Sequence, residues 1–189
     1  MNKLKYIAII DYGMGNLHSV EAACKKVGIR AIITSNEDEI LCASAAILPG
    51  VGAFSQAMKN MHNSKLDLTV KKFFYESKPL IGICLGMQLF FSESEEFGNT
   101  EGLGLIKGKV KKFNFKKNKM RIPVPQIGWN RIKNISPNSN WTDSLLVNNS
   151  KNDFMYFVHS YYVEPLDKKI ILSNTQYGDL KYCSALRYK

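Results

Sequence analysis

A chain of 189 residues, 45% of them hydrophobic, holds enough apolar material for a substantial core. No run approaches the ~18–20 consecutive apolar residues of a membrane span. The cysteines Cys24, Cys42, Cys84 and Cys183 are scattered, with neither a Cys-x-x-Cys pair nor a Cys/His zinc spacing, so no disulfide framework and no metal site are indicated. The formal charge of +10 leaves nucleic acid, an acidic partner or an anionic substrate as options.

Leu4–Ile10 is too short for a signal segment and runs into Asp11 without a cleavage-like site, which predicts the first strand of a cytosolic protein. The following Asp11-Tyr-Gly-Met-Gly-Asn16 resembles a phosphate-binding turn but lacks a full Gly-x-Gly-x-x-Gly. Asn16 is a plausible N-cap for a helix carrying the stripe Leu17, Val20, Cys24 and Val27. Arg30–Thr34 predicts a second strand, Asn36–Ala43 a short helix and Ala45–Leu48 a third strand entering the glycine-bearing loop Pro49-Gly-Val-Gly-Ala-Phe54. Such a loop can present backbone N–H groups to an anion. Phe54–Met61 and Leu66–Phe74 read as helical, and Leu80–Ile83 as a buried strand. This alternation argues for a mostly parallel sheet with flanking helices, whose strand C-terminal ends collect reactive groups.

At the fourth strand end stands Gly82-Ile-Cys84-Leu-Gly86, followed by a predicted helix over Leu85–Phe91. Gly-x-Cys-x-Gly between strand and helix has the layout of a nucleophile elbow. The turn lifts the sulfur clear of the backbone, the Leu85 N–H can bind an oxyanion, and the helix start favours thiolate. The alternative is a buried cysteine in a βα turn.

After Ser92–Gly98 the pattern becomes β-rich, with predicted strands at Leu105–Phe115, Arg121–Gly128, Phe154–Val163, Lys169–Thr175 and Leu180–Tyr188. Asn134–Asn140 and Asn148–Asp153 read as polar loops. Lys107, Lys109, Lys111, Lys112, Lys116, Lys117, Lys119 and Arg121, interleaved with Phe113 and Phe115, fit a half-buried strand and a solvated turn better than a nucleic-acid stripe.

Gly82-Ile-Cys-Leu-Gly-Met-Gln88 resembles the class I (triad) glutamine amidotransferases. Asp11–Asn16, Leu48–Phe54, Gly128-Trp-Asn130 and Tyr156–Val163 narrow the resemblance to the glutaminase subunits of imidazole glycerol phosphate synthase. The resemblance covers essentially the whole chain. It implies the amidotransferase fold as a single domain over residues 1–189, no cofactor, no nucleic acid and no membrane. Glutamine is the implied substrate and a cyclase subunit of histidine biosynthesis the implied partner.

Carried over by residue, Cys84 is the nucleophile, and Leu85, Gly50, Val51 and Gly52 are backbone oxyanion donors. Gln88, Glu95, Glu96, His159, Ser160 and Tyr161 are candidates to hold glutamine, and Asp11, Asn16 and Trp129 to face the partner.

Two positions depart from the resemblance. Gln126 stands where the family commonly has histidine, and no His-Pro-Glu motif follows Ser184-Ala185. The expectation is a C-terminally incomplete domain with little glutaminase activity by itself, with His159 the strongest substitute base. A paralogue feeding ammonia to another synthase and a catalytically dead regulatory subunit are the alternatives.

Overall fold

The computed structural model describes residues 5–115, 122–135, 141–142, 144–150 and 153–188. They form two compact units, Met1–Leu105 and Ile106–Lys189. Among the described residues no helix is long and apolar enough to cross a membrane.

The first unit alternates strand and helix. In order these are β1 (Ile7–Ile10), α1 (Leu17–Lys26), β2 (Ala31–Thr34), α2 (Glu37–Cys42), β3 (Ala45–Leu48), α3 (Phe54–Asn63), α4 (Leu66–Tyr75), β4 (Leu80–Gly82) and α5 (Leu85–Leu89). The hairpin strands β5 (Phe91–Ser94) and β6 (Thr100–Glu101) follow. The four strands β1 to β4 form a parallel sheet in the order β2-β1-β3-β4. Consecutive residues of β1 point to opposite faces, yet Ala8, Ile9 and Ile10 are all fully buried, so both faces of that strand are covered. Phe54, Ala57 and Met61 on α3 and Leu66, Val70 and Phe73 on α4, at helical spacing, extend the core. Strand order reverses between β1 and β3, and in open parallel sheets such a switch point opens a crevice beyond the strand C-termini. Asp11, Pro49 and Cys84 follow the ends of β1, β3 and β4.

The predicted helix from Leu85 stops at Leu89, because later backbone captures its carbonyls. The Leu103 N–H donates to Leu89 O at 2.8 Å and the Gly104 N–H to Phe91 O at 3.1 Å. Phe91 thereby starts β5 instead of ending α5.

The described residues of the second unit are mainly β: β7 (Ile106–Lys112), β8 (Gln126–Arg131), β9 (Lys133–Asn134), β10 (Phe154–His159), β11 (Tyr161–Pro165), β12 (Ile171–Tyr177) and β13 (Leu180–Leu186). β7, β11, β13, β12 and β9 pair antiparallel in that order, and β8 and β10 form a separate antiparallel ribbon. Ile132, Trp141 and Leu146 form a core with Met155 and Phe157 of β10 and Leu172 and Ala185 of β12 and β13. β7 alternates buried Ile106, Gly108 and Val110 with exposed Lys107 and Lys109, as a half-buried strand should; residues 116–121 lie outside the described residues.

Several predicted boundaries move here. The strand expected over Arg121–Gly128 starts only at Gln126, since Pro123 and Pro125 have no N–H to give a ladder. The strand expected over Phe154–Val163 is two strands meeting at Ser160, whose first member joins the ribbon and whose second joins the larger sheet. That expected from Lys169 begins at Ile171, after a 3-10 turn over Lys168–Ile170.

Candidate active site

Cys84 sits at φ 55°, ψ −115°, a positive-φ conformation that side-chain-bearing residues rarely adopt. It is held there by close packing around the turn. The Ile83 N–H is fixed on Leu48 O at 3.0 Å, while the Met87 and Gln88 N–H groups turn back onto Cys84 O at 3.0 and 3.2 Å. The flanking glycines are steric requirements. A Cβ on Gly86 would lie 1.8 Å from Leu48 O, and one on Gly82 would lie 2.6 Å from Met87 Cα. Strand β3 and helix α5 therefore touch through backbone, and the cysteine between them is forced outward.

Cys84 is exposed to solvent, yet enough protein surrounds its sulfur that desolvation pushes the thiol up. The hydrogen bond with the Leu85 backbone partly offsets this. The expected bias toward thiolate at the helix start is outweighed, because α5 is a five-residue helix with little dipole to offer. Cys84 and Ile83 border a groove of about 470 Å³ whose other walls include Val20 and Val27 of α1 and Pro49, Gly50 and Val51.

The Pro49–Ala53 loop joins β3 to α3 and is tied at both ends by side chains from elsewhere. The buried Tyr12 hydroxyl donates to Pro49 O at 2.9 Å. Glu96 Oε2 accepts from the Phe54 N–H at 2.6 Å, capping α3, whose own N-cap residue Ala53 has no side-chain oxygen. Between the ties, Val51 is exposed and Gly52 has φ 100°. Leu85, the Gly50–Gly52 loop and Cys84 thus share the strand C-terminal end, with Gln88 one turn along α5. Sequence pattern alone gives no reason to single out Tyr12, whose signal is one hydroxyl at the end of an apolar strand.

Asp11 and Asn16 shape the neighbouring loop. Asp11 Oδ1 accepts from the Gly13 N–H at 2.9 Å, and Asn16 Oδ1 caps α1 by accepting from the Ser19 N–H at 3.3 Å.

In the second unit His159 is bound on both ring nitrogens, Nδ1 to Tyr161 O at 2.8 Å and Nε2 to the Tyr182 hydroxyl at 3.2 Å, and burial lowers its pKa. Ser160 O accepts from the Phe113 N–H at 3.0 Å. The other histidines face acidic neighbours, His18 near Glu21 and His62 near Asp67. Gln126 is buried against Tyr182 at 3.0 Å.

The β8–β10 ribbon has two unlike faces. Met155 and Phe157 point into the core, whereas Ile127, Trp129, Phe154, Tyr156 and Val158 are all exposed, Trp129 at 70%. Trp129 and Tyr156 are register partners with ring centroids 5.7 Å apart, and Arg131 covers the Phe154 ring at 5.0 Å.

A family model described as glutamine amidotransferase class-I matches residues 8–187, spanning both units. The imidazole glycerol phosphate synthase subunit HisH of Bacillus subtilis (strain 168) is 42% identical over 173 residues, 91% of this chain and 79% of that protein. The HisH subunit of Nostoc sp. is 39% identical over 183 residues, 97% of this chain and 83% of that protein. Among solved structures, a glutamine amidotransferase superposes with a TM-score of 0.62 at 15% identity, covering 92% of this chain and 86% of the other. PurLQS from Thermotoga maritima superposes at 0.58 and 16%, covering 95% and 77%. The chain therefore belongs to the class-I glutamine amidotransferases and, within them, to the family of the HisH subunits of imidazole glycerol phosphate synthase.

Proposed function

We propose that this chain is the glutaminase subunit of an imidazole glycerol phosphate synthase, releasing ammonia from glutamine for a cyclase subunit in histidine biosynthesis. The observation that carries it is the positive-φ Cys84, with the Leu85 backbone hydrogen-bonded to its sulfur at the C-terminal end of β4. The Cys84 sulfur adds to the side-chain carbonyl of glutamine, and the carbonyl electron pair moves onto oxygen. Leu85 and the Gly50–Gly52 backbone are the proposed donors to that oxyanion. Collapse breaks the C–N bond, ammonia leaves with the thiol's proton, and a γ-glutamyl thioester remains. Water then cleaves the thioester to glutamate and free thiol. Glu96, with one oxygen on the Phe54 N–H, is the proposed partner of the substrate's ammonium group, and Gln88 is proposed to contact the same ligand. The exposed face of the β8–β10 ribbon, centred on Trp129, is the proposed seat of the cyclase. Aromatic residues beside an arginine are the composition of an interface centre.

The attack needs a base, since an unassisted thiol at its ordinary pKa of ~8.5 is only a few per cent ionised at neutral pH. The histidines among the described residues favour a second reading. His18 and His62 each face an acidic neighbour, and His159 is hydrogen-bonded on both nitrogens, which suits a non-catalytic subunit that tunes the cyclase. A glutaminase assay with cyclase and its ligand separates the two. Glutamate release that Cys84→Ala abolishes supports the first reading. Altered ammonia-dependent cyclase kinetics with no glutamine consumption supports the second.

A further inference from the structure

Tyr12 stands at the end of β1, carries no role in the reaction above, and is almost completely buried at 4% exposure. A buried hydroxyl needs a partner, and this one uses Pro49 O, the first carbonyl of the loop that faces Cys84. The preceding carbonyl, Leu48 O, is held by the Ile83 N–H at 3.0 Å. Two successive peptide planes are thus fixed where β3 ends. A peptide is planar and trans, so a hydroxyl that sets the direction of the Pro49 carbonyl also sets the opposite direction of the Gly50 N–H. The contact leaves no room beside it. A Cβ on Gly50 would lie 2.3 Å from the Tyr12 hydroxyl and 3.0 Å from Gly86 N. Tyr12 is itself braced, its carbonyl accepting from Asn60 Nδ2 of α3 at 3.2 Å.

We infer that Tyr12 is a positioning residue: its hydroxyl holds the Pro49–Gly50 peptide plane and so aims the backbone donors of the Gly50–Gly52 loop at the carbonyl oxygen of the substrate. The tyrosine acts through one carbonyl, and Gly50 is glycine because the hydroxyl occupies the space of its side chain. The inference rests on the reading of Cys84 as the nucleophile toward glutamine.

The test compares two reagents for Cys84 in the full chain with its partner subunit. The chloromethyl ketone analogue of glutamine is attacked at a carbonyl and needs oxyanion donors. Iodoacetamide is attacked at a saturated carbon and needs none. Tyr12→Phe keeps the ring in the core and removes only the hydroxyl. The expected result is a chloroketone rate about tenfold slower, equivalent to one lost buried hydrogen bond, with the iodoacetamide rate and melting temperature unchanged. Glutamine protection should persist at the same half-saturating concentration, because binding is untouched. A native chain that the chloroketone labels no faster than a free thiol overturns the amidotransferase reading and this role with it. A native chain labelled selectively at Cys84, whose Tyr12→Phe variant loses neither rate or loses both equally, overturns the positioning role alone.

Discussion

The imidazole of His159 and the hydroxyl of Tyr182 meet at 3.2 Å inside a cluster of aromatic rings that includes Phe113, Phe157 and Tyr162. The other ring nitrogen faces Tyr161 O, which can only accept, so Nδ1 carries the proton. The Tyr182 hydroxyl lies 3.2 Å from Nε2 and donates to Gln126 Oε1 at 3.0 Å. Burial among these rings disfavours the charged imidazolium and so lowers the pKa of His159.

A pH dependence follows. Above the unfolded pKa of ~6.5 His159 is neutral in both states and the network contributes fully. As pH falls below that, the unfolded chain takes up the proton first, so stability drops until the lower, folded pKa is passed. The carboxylates with lowered pKa values, Glu76, Asp153 and Glu164, lose their contributions only further down, near and below ~4. Urea midpoints at pH 7.5 and 5.5 check this: the native midpoint should fall on acidification, and His159→Gln should flatten the difference. An equal fall in both chains would contradict it.

The four cysteines should separate by reactivity. Cys183 is buried and its thiol is pushed up to about 12, and Cys24 is also buried, so neither should react at pH 8.5 in the folded chain. Cys42 and Cys84 are exposed. With the Cys84 thiol raised by desolvation, its iodoacetamide rate should keep climbing above pH ~8.5, where an ordinary thiol is half ionised. Peptide mapping after timed alkylation reads all four sites, and early labelling of Cys183 would show that the second unit opens.

Gly86→Ala is expected to break the elbow. Its new Cβ would be driven into Leu48 O at 1.8 Å, a backbone atom that cannot move without parting β3 from α5. Overpacking against fixed backbone costs about 3 kcal/mol or more. Thermal denaturation should show a large loss, with Cys84 alkylation becoming like that of a free thiol. Gly28→Ala is the control, since nothing lies within 4 Å of its would-be Cβ. Its own φ of 75° limits the cost there to backbone strain of about 1 kcal/mol.

Much of the first unit is legible from local signals. Apolar runs of four residues, each followed by a glycine-bearing loop, mark β1, β3 and β4, and Asn16 caps α1 where its position before Leu17 predicts. What stays hidden depends on distant partners. The helix after Cys84 is cut at Leu89 by hydrogen bonds from Leu103 and Gly104, more than ten residues away. The single apolar run Phe154–Val163 divides at Ser160 because its halves find different sheets. Glu96 is recognisable as an acidic residue near the site, but its bond to Phe54, forty-two residues earlier in the chain, is not. Tyr12 is the clearest case: a strand-end tyrosine gains meaning only when Pro49 O is seen beneath it.

Trp129→Ala should weaken the complex with the cyclase while leaving the isolated chain as stable as before. Trp129 is 70% exposed, and its ring contact is with Tyr156 on the same outer face. Core packing on the ribbon's inner side, through Met155 and Phe157, is untouched by its loss. An exposed aromatic of this size pays nothing toward folding that a smaller residue would not, but at the centre of an interface it is worth about 2 kcal/mol or more. That corresponds to roughly a 30-fold rise in Kd. Calorimetric titration against the cyclase subunit gives the affinity, and the melting temperature of the free chain gives the control. Arg131→Ala, at the ribbon's edge beside Phe154, should cost less affinity and leave binding less dependent on salt, as loss of a charge at an interface rim does. If Trp129→Ala binds like the native chain, the cyclase docks elsewhere and the exposed ribbon face serves another partner.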